Sequence, residues 1–286
     1  MPDGDVLLHA GDFTQTGRLE EIESFCRWFG SLPHKRKIVI AGNHDLSLHG
    51  GSYHETAPRF GHPVTDVAAT AAKARALIEQ IPNCEYLCDS GTRVRGLRVW
   101  GSPWQPWFHD WAFNLPRGEA CRAKWRLIPE GTDIVMTHGP ALGYGDRCAS
   151  GHRAGCLDLL DELQQRVRPA YHVFGHIHES WGAQTDGVTT YLNASTCTLK
   201  YRPDNPALIF DLPARETPEE AAEAAAEAAA TSEVALHEFM KERQRKEAEA
   251  VEGSSDDEET ATVLAEAAAK RAQRRREEGD SCSSYD

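Results

Sequence analysis

The chain has 286 residues, with 31 basic and 44 acidic side chains and a formal net charge of −13. At 40% hydrophobic and 26% charged residues, its composition is that of a globular protein able to bury one large core or two small ones. The acidity argues against a nucleic-acid polymer as partner, and no run approaches the ~18 apolar residues of a membrane span.

The charge is unevenly placed. Residues 214–286 carry 20 acidic and 10 basic side chains, a net of −10, which leaves −3 for residues 1–213. The tail includes AAEAAAEAAA at 221–230 and GSSDDEET at 253–260, with almost no apolar stripe to pack. The expected organisation is a nearly neutral domain over 1–213 and an acidic Ala/Glu-rich tail over 214–286. That tail is read as solvated, partly helical at best, and as a place where a protein partner can dock. The N-terminus, Met1 to Asp5, has no basic start followed by an apolar run. The eight cysteines form no C-x-x-C pair and read as reduced thiols in a cytoplasmic protein.

In chain order, Val6-Leu7-Leu8 reads as a strand ending at His9-Ala10-Gly11-Asp12. Leu19, Ile22, Phe25, Cys26 and Phe29 recur at helical spacing, and Gly30 stands where a capping glycine is expected. Lys37 to Ala41 is the next strand, which gives a βαβ unit. Residues 46–66, rich in Gly, His and Pro, read as a long loop. Ala68 to Ile81 has helical composition and stops at Pro82. Short strands are expected at Tyr86-Leu87 and from Arg93 to Trp100, the latter turning at Gly96. Ile134-Val135-Met136 reads as a buried strand, Cys156 to Val167 as a helix ended by Pro169, and Val173-Phe174 as the approach to Gly175-His176-Ile177-His178. Val188 to Asn193 and Ala207 to Leu212 read as the last two strands.

Four of these segments share one layout, an apolar strand ending in glycine beside a metal-capable side chain. They are Gly11-Asp12, Gly42-Asn43-His44-Asp45, His138-Gly139 and Gly175-His176-Ile177-His178. Sites in α/β sheets collect at the carboxyl ends of strands, so the four should converge. In an extended segment His176 and His178 point to one face, which suits two imidazoles aimed at a metal pair. Mixed Asp, Asn and His ligands favour Mn²⁺, Fe²⁺ or Zn²⁺ over Ca²⁺.

With these blocks in this order, the chain resembles the calcineurin-like metallophosphoesterase superfamily. Within it, the chain is most similar to the MPPED-type (metallophosphoesterase domain-containing) proteins. The longer stretches that carry this are LLHAGDFTQTG at 7–17, KIVIAGNHD at 37–45, GSPWQPWFHDWAFNLPRG at 101–118, LIPEGTDIVMTHGP at 127–140 and NASTC at 193–197. The resemblance covers about residues 3–213. It implies an α/β fold, a four-layer sandwich of two mixed sheets flanked by helices. It implies two divalent ions, Mn²⁺ first and otherwise Fe or Zn. Asp12 is implied to bridge both, with Asn43, His138 and His176 completing one ion and His178 on the other. His44 is implied as acid or charge stabiliser at the leaving oxygen, with Asp45 orienting it.

The resemblance also implies hydrolysis of phosphodiester or nucleotide phosphate bonds by a metal-activated hydroxide, with Asn43 and His44 contacting substrate. Trp104, Trp107, Phe108 and Trp111 cluster in a Pro-punctuated loop; Trp104 and Trp107 are the expected pocket wall, with His152 and Arg153 as phosphate contacts. The competing reading is a nucleotide-binding or scaffold protein with an impaired phosphoesterase site. One family block, an upstream strand carrying Asp-x-His, has no counterpart among the eleven residues before Asp12. The second ion is therefore expected to lack two ligands, through a late start codon or, failing that, a genuine short form.

Overall fold

Val6–His9 forms strand β1 in the computed structural model, which describes residues 1–62, 66–215 and 241. All elements below lie in the first of two compact units, Met1–Ser232; the second is Glu233–Asp286. Residues 216–286 other than Lys241, and with them nearly all of the acidic tail, fall outside the described residues.

Helix α1 (Leu19–Gly30) follows its apolar spacing and buries Ile22, Phe25 and Phe29. Its amino end is closed by Glu21, whose carboxylate accepts the Thr16 and Arg18 amides at 3.0 Å each. At the other end Gly30 is the last helical residue rather than the cap. Ser31 continues in right-handed geometry, donating its amide to Arg27 O and its hydroxyl to Trp28 O, so no left-handed residue is needed.

Strand β2 (Arg36–Val39) runs parallel to β1, and β3 (Cys84–Tyr86) lies parallel on its far side. This three-stranded sheet is wholly parallel, where a mixed one was expected. Strands β6 (Gln105–Pro106) and β7 (Asn114–Leu115) form a separate parallel pair. The second sheet is mixed, in the order β10 (Gly182–Thr185), β11 (Thr190–Asn193), β9 (Tyr171–Phe174), β8 (Ile134–Thr137), β5 (Leu97–Ser102), β4 (Ser90–Val94). Its hairpin joins β4 to β5 through Arg95 and Gly96, both at positive φ, as a two-residue hairpin turn requires. Strands β8, β9 and β11 are parallel to β5, and β10 closes the edge antiparallel.

Three apolar clusters order the layers. Ile38 and Ile40 meet Val99, Ile134, Met136, Val173 and Leu192 between the sheets. Helices α1 and α3 (Val67–Glu79) cover the first sheet. Helices α4 (Glu119–Trp125) and α5 (Leu157–Glu162) cover the second. This is the expected four-layer arrangement of helix, sheet, sheet and helix.

Several elements differ from the sequence reading. The loop expected over 46–66 holds helix α2 (Gly50–Thr56), whose Tyr53 and Thr56 are buried. The helix expected from Cys156 to Val167 is α5 followed by a π-turn over Leu163–Val167, ended by Arg168 at φ 50. Ala207 to Leu212 alternates as a strand should, and Leu208, Phe210 and Leu212 pack on the intersheet core. Yet it joins no ladder among the described residues. Pattern places a segment on a core, but a strand also needs a partner backbone.

The neighbour it faces is itself half-paired. In β1 the carbonyls of Asp5 and His9 accept from Arg36 and Ile40 of the next strand, so the odd residues face β2. Val6 and Leu8 turn their backbone groups the other way, where no strand pairs among the described residues. Between this edge and residues 207–212 lies a cavity of about 540 Å³, which reaches Asp12, His176 and His178 at one end. Among the described residues no helix is long and apolar enough to cross a membrane, and all seven described cysteines are unpaired thiols.

Candidate metal centre

Four strand ends deliver the site, as their layout predicts. The chain leaves β1 through Gly11 at φ +93, where any Cβ would lie 2.6 Å from the Ala41–Gly42 backbone. Asp12 follows in the left-handed region at φ 56, unusual for a non-glycine residue. Asp45 holds this turn in place. Its Oδ2 accepts the amides of Asp12 (2.9 Å) and Gly42 (2.7 Å), and its Oδ1 accepts the amide (3.0 Å) and hydroxyl (2.7 Å) of Thr14. Burial and the nearby Asp12 charge raise its pKa to about 7. Asp45 is therefore a clamp between two site loops. The His44 ring takes its orientation elsewhere: Nδ1 lies 2.7 Å from Gln15 O.

Asp12, His138 and His176 each place one ligand atom within 4.8 Å of the others. His138 is fully buried at the end of β8, and its Nδ1 donates to Ala10 O at 2.9 Å. That bond fixes the tautomer, as a carbonyl partner does for metal-bound imidazoles. The opposite nitrogen, Nε2, then faces Asn43 Oδ1 at 2.9 Å and Asp12 Oδ2 at 3.2 Å. A lone pair aimed at two oxygens is stable only with positive charge between them, a proton or a cation. Burial alone would lower the His138 pKa; the charge and hydrogen bond of Asp12, with the Ala10 carbonyl and Asp45, together outweigh it and hold the pKa raised. Burial likewise disfavours the Asp12 carboxylate, and His138 reverses this, keeping it below the usual carboxylate range. Burial and the adjacent His138 push the His176 pKa down to about 3, so its imidazole is neutral and free to ligate.

The donor set fits one divalent cation. Asp12 and Asn43 offer oxygen and His138 and His176 offer nitrogen, while Asn43 Nδ2 is buried without a partner. Gly42 leaves the room: a Cβ there would overlap the Asp12 carboxylate and lie 2.5 Å from His138 Cε1.

His176 and His178 line one cavity but do not lie on an extended strand. His176 is left-handed at φ 69 and joins the cluster, whereas His178 opens a 3₁₀ turn and sits edge-on to Tyr201 at 5.3 Å. Strand spacing does not apply once the chain has turned. His178 lines the 540 Å³ cavity with Asp12, outside the three-residue cluster.

The expected substrate contacts are dispersed. Trp104 is packed inside, its Nε1 donating to Asp89 at 2.9 Å and its ring under Lys124 at 4.4 Å. Trp107 is 59% exposed and lines a separate cavity of about 360 Å³ with Arg59, Trp111 and Asn114. Arg153 is paired with the buried carboxylate of Asp146 at 2.6 Å, and His152 is exposed beside it. Two other loop rings reach the centre: Trp111 lies against His44 at 4.1 Å, and Phe108 meets His176 edge-on at 5.0 Å. Their tryptophan-rich loop was legible in the sequence; which rings turn inward was not.

The sequence profile of the calcineurin-like phosphoesterase family matches residues 1–180. The chain belongs to the calcineurin-like phosphoesterase family. Within it, the chain is 50% identical over 215 residues to "Metallophosphoesterase domain-containing protein 1" of Homo sapiens, covering 74% of this chain and 66% of that protein. It is 42% identical over 217 residues to "UPF0046 protein C25E10.12" of Caenorhabditis elegans, covering 74% of each. The match thus spans just under two thirds of the human phosphoesterase relative's length.

Proposed function

We propose that this phosphoesterase-family chain hydrolyses phosphodiester or nucleotide phosphate bonds with a divalent cation, Mn²⁺ first among candidates. The observation that carries the reading is His138, pinned by Ala10 O with Nε2 turned toward the oxygens of Asn43 and Asp12. Asp12, Asn43, His138 and His176 hold the cation. When bound, it supplies charge neutralisation at the phosphoryl oxygens and acidifies water. The chain's residues supply the geometry. Asn43 and His44 sit on one loop, with the His44 amide donating to Asp12 Oδ1 at 2.8 Å. The half-buried His44 ring is placed to give a proton to the leaving oxygen. A bond forms from water oxygen to phosphorus, the P–O ester bond breaks, the proton from His44 goes to the departing alcohol, and the proton shed by the attacking water passes to solvent, from which His44 is reprotonated.

The position of His178 supports a second reading. A second ion beside Asp12 would have only these two ligands from the described residues, fewer than metal sites normally use. A nucleotide-binding or scaffold role with an impaired site is consistent with that. Turnover of bis-p-nitrophenyl phosphate decides between them. The enzyme reading expects Mn²⁺-dependent hydrolysis that a chelator stops, and on a diester with a strongly basic leaving group His44→Ala cuts it by about 10²-fold or more. Nucleotide binding without metal-dependent turnover favours the second reading. A compartment in the cytoplasm and a protein partner for the tail remain part of the proposal, resting on the cysteine pattern and the tail's charge.

A further inference from the structure

His44 is held from two directions. In the ring plane, Nδ1 bonds to Gln15 O at 2.7 Å. Across the ring face lies Trp111, its centroid 4.1 Å away and its plane tilted by 33°. The hydrogen bond alone leaves the imidazole free to swing about the Nδ1–O line; the indole removes that freedom.

The loop presenting Trp111 is built to stay where it is. His109, Asp110 and Phe113 all adopt positive φ, a strained conformation for non-glycine residues. Such a backbone persists only when its surroundings over-determine it. Arg59 Nη1 donates to the carbonyls of Asp110 (2.8 Å) and His109 (3.4 Å). The Asn114 side chain bonds the backbone of Phe108 in both directions, at 3.2 and 3.1 Å. Phe60 backs the indole at 4.6 Å. The Ala112 amide donates to Asn43 O at 3.2 Å, which ties the loop to the residue preceding His44.

We propose that Trp111 is a positioning residue for the phosphoesterase reaction, fixing the His44 imidazole so that its free nitrogen meets the leaving-group oxygen. The proposal rests on the reading of His44 as proton donor. Donation matters little when the leaving group departs easily as an anion and greatly when it does not. A misplaced donor therefore has a signature that general loss of packing lacks: the defect grows with leaving-group basicity.

The test uses the full chain with Mn²⁺ and a series of methyl aryl phosphates from p-nitrophenyl to unsubstituted phenyl. The ring, and so its binding, is nearly constant while the leaving phenol becomes more basic. Trp111→Ala is expected to lose no more than about 3-fold in kcat on the p-nitrophenyl ester and about 30-fold or more on the phenyl ester, within the range of a proton donor. Trp111→Phe, which keeps a flat face against the imidazole, should stay within about 3-fold across the series. An equal loss on every ester, or Trp111→Phe as steep as Trp111→Ala, overturns the proposal. A second measurement needs no turnover. In the metal-free chain the carbon-bound protons of His44 lie in the ring current of Trp111, and Trp111→Ala should move their NMR signals downfield. Unmoved signals overturn the stacking itself. Failure of the wild-type chain to turn over any ester counts against the function proposed above, and the NMR result still decides whether Trp111 holds His44.

Discussion

At the scale of single residues, glycine and buried histidine make the sharpest commitments. Gly42 has no freedom to grow, because a methyl group there meets both Asp12 and His138. Gly42→Ala should weaken Mn²⁺ binding by about 100-fold or more, since misplacing two ligands costs at least as much as losing an outer partner. Calorimetric titration checks this, and unchanged affinity would contradict the close-packed cradle. His172 is a different case. Thr137 Oγ1 donates to Gly139 O, so it must accept from His172 Nε2 at 2.7 Å, and the buried Nδ1 has no partner. Burial pushes the His172 pKa down to about 3, against about 6.5 for a solvated imidazole. Folding is then favoured fully above pH ~6.5, and stability falls as the pH drops from there toward 3, because only the unfolded chain takes up the proton. The slope from this residue approaches about 1.4 kcal/mol per pH unit. Urea unfolding at pH 7.5 and 5.5 should show the loss, and His172→Gln should make it shallower. The residues that gather at the candidate centre stand at glycine-flanked strand ends, a pattern legible in the sequence. The role of Asp45 was not legible there, because three of its four partners are backbone amides, which no residue pattern displays.

At the scale of elements, periodicity found what packs, and missed what pairs. Helix α1 and the intersheet strands emerged from apolar spacing because burial on one face imposes it. Helix α2 did not, since its Gly-Gly-Ser start argues against a helix and only tertiary packing of Tyr53 and Thr56 secures it. His176 and His178 show the same limit: period-two reasoning holds within a strand and lapses at its end. Strand β1 offers a direct check on pairing. Hydrogen exchange should find the amides of Leu7 and His9 protected by β2, and those of Val6 and Leu8 exchanging at least ten times faster. Equal protection at all four would show a partner on the second edge.

At the scale of the whole molecule, the net charge of −13 says little about the chemistry. Residues 1–213 carry −3 of it, and the proposed cation site is made by one carboxylate, one amide and two imidazoles drawn together from four strand ends. What concentrates function is topology. Parallel strands β1, β2, β8 and β9 send their carboxyl ends to one place, and the left-handed turns at Asp12 and His176 aim the ligands inward. The central claim is that this convergence is a metal centre rather than a cluster of polar side chains holding a shared proton. Calorimetric titration of Mn²⁺ into the metal-free chain tests it most directly. The account predicts one tightly held ion per chain, and at least 100-fold weaker binding in a His138→Ala chain shown to be folded by circular dichroism. No binding by the wild-type chain, or equal binding by the variant, would contradict it.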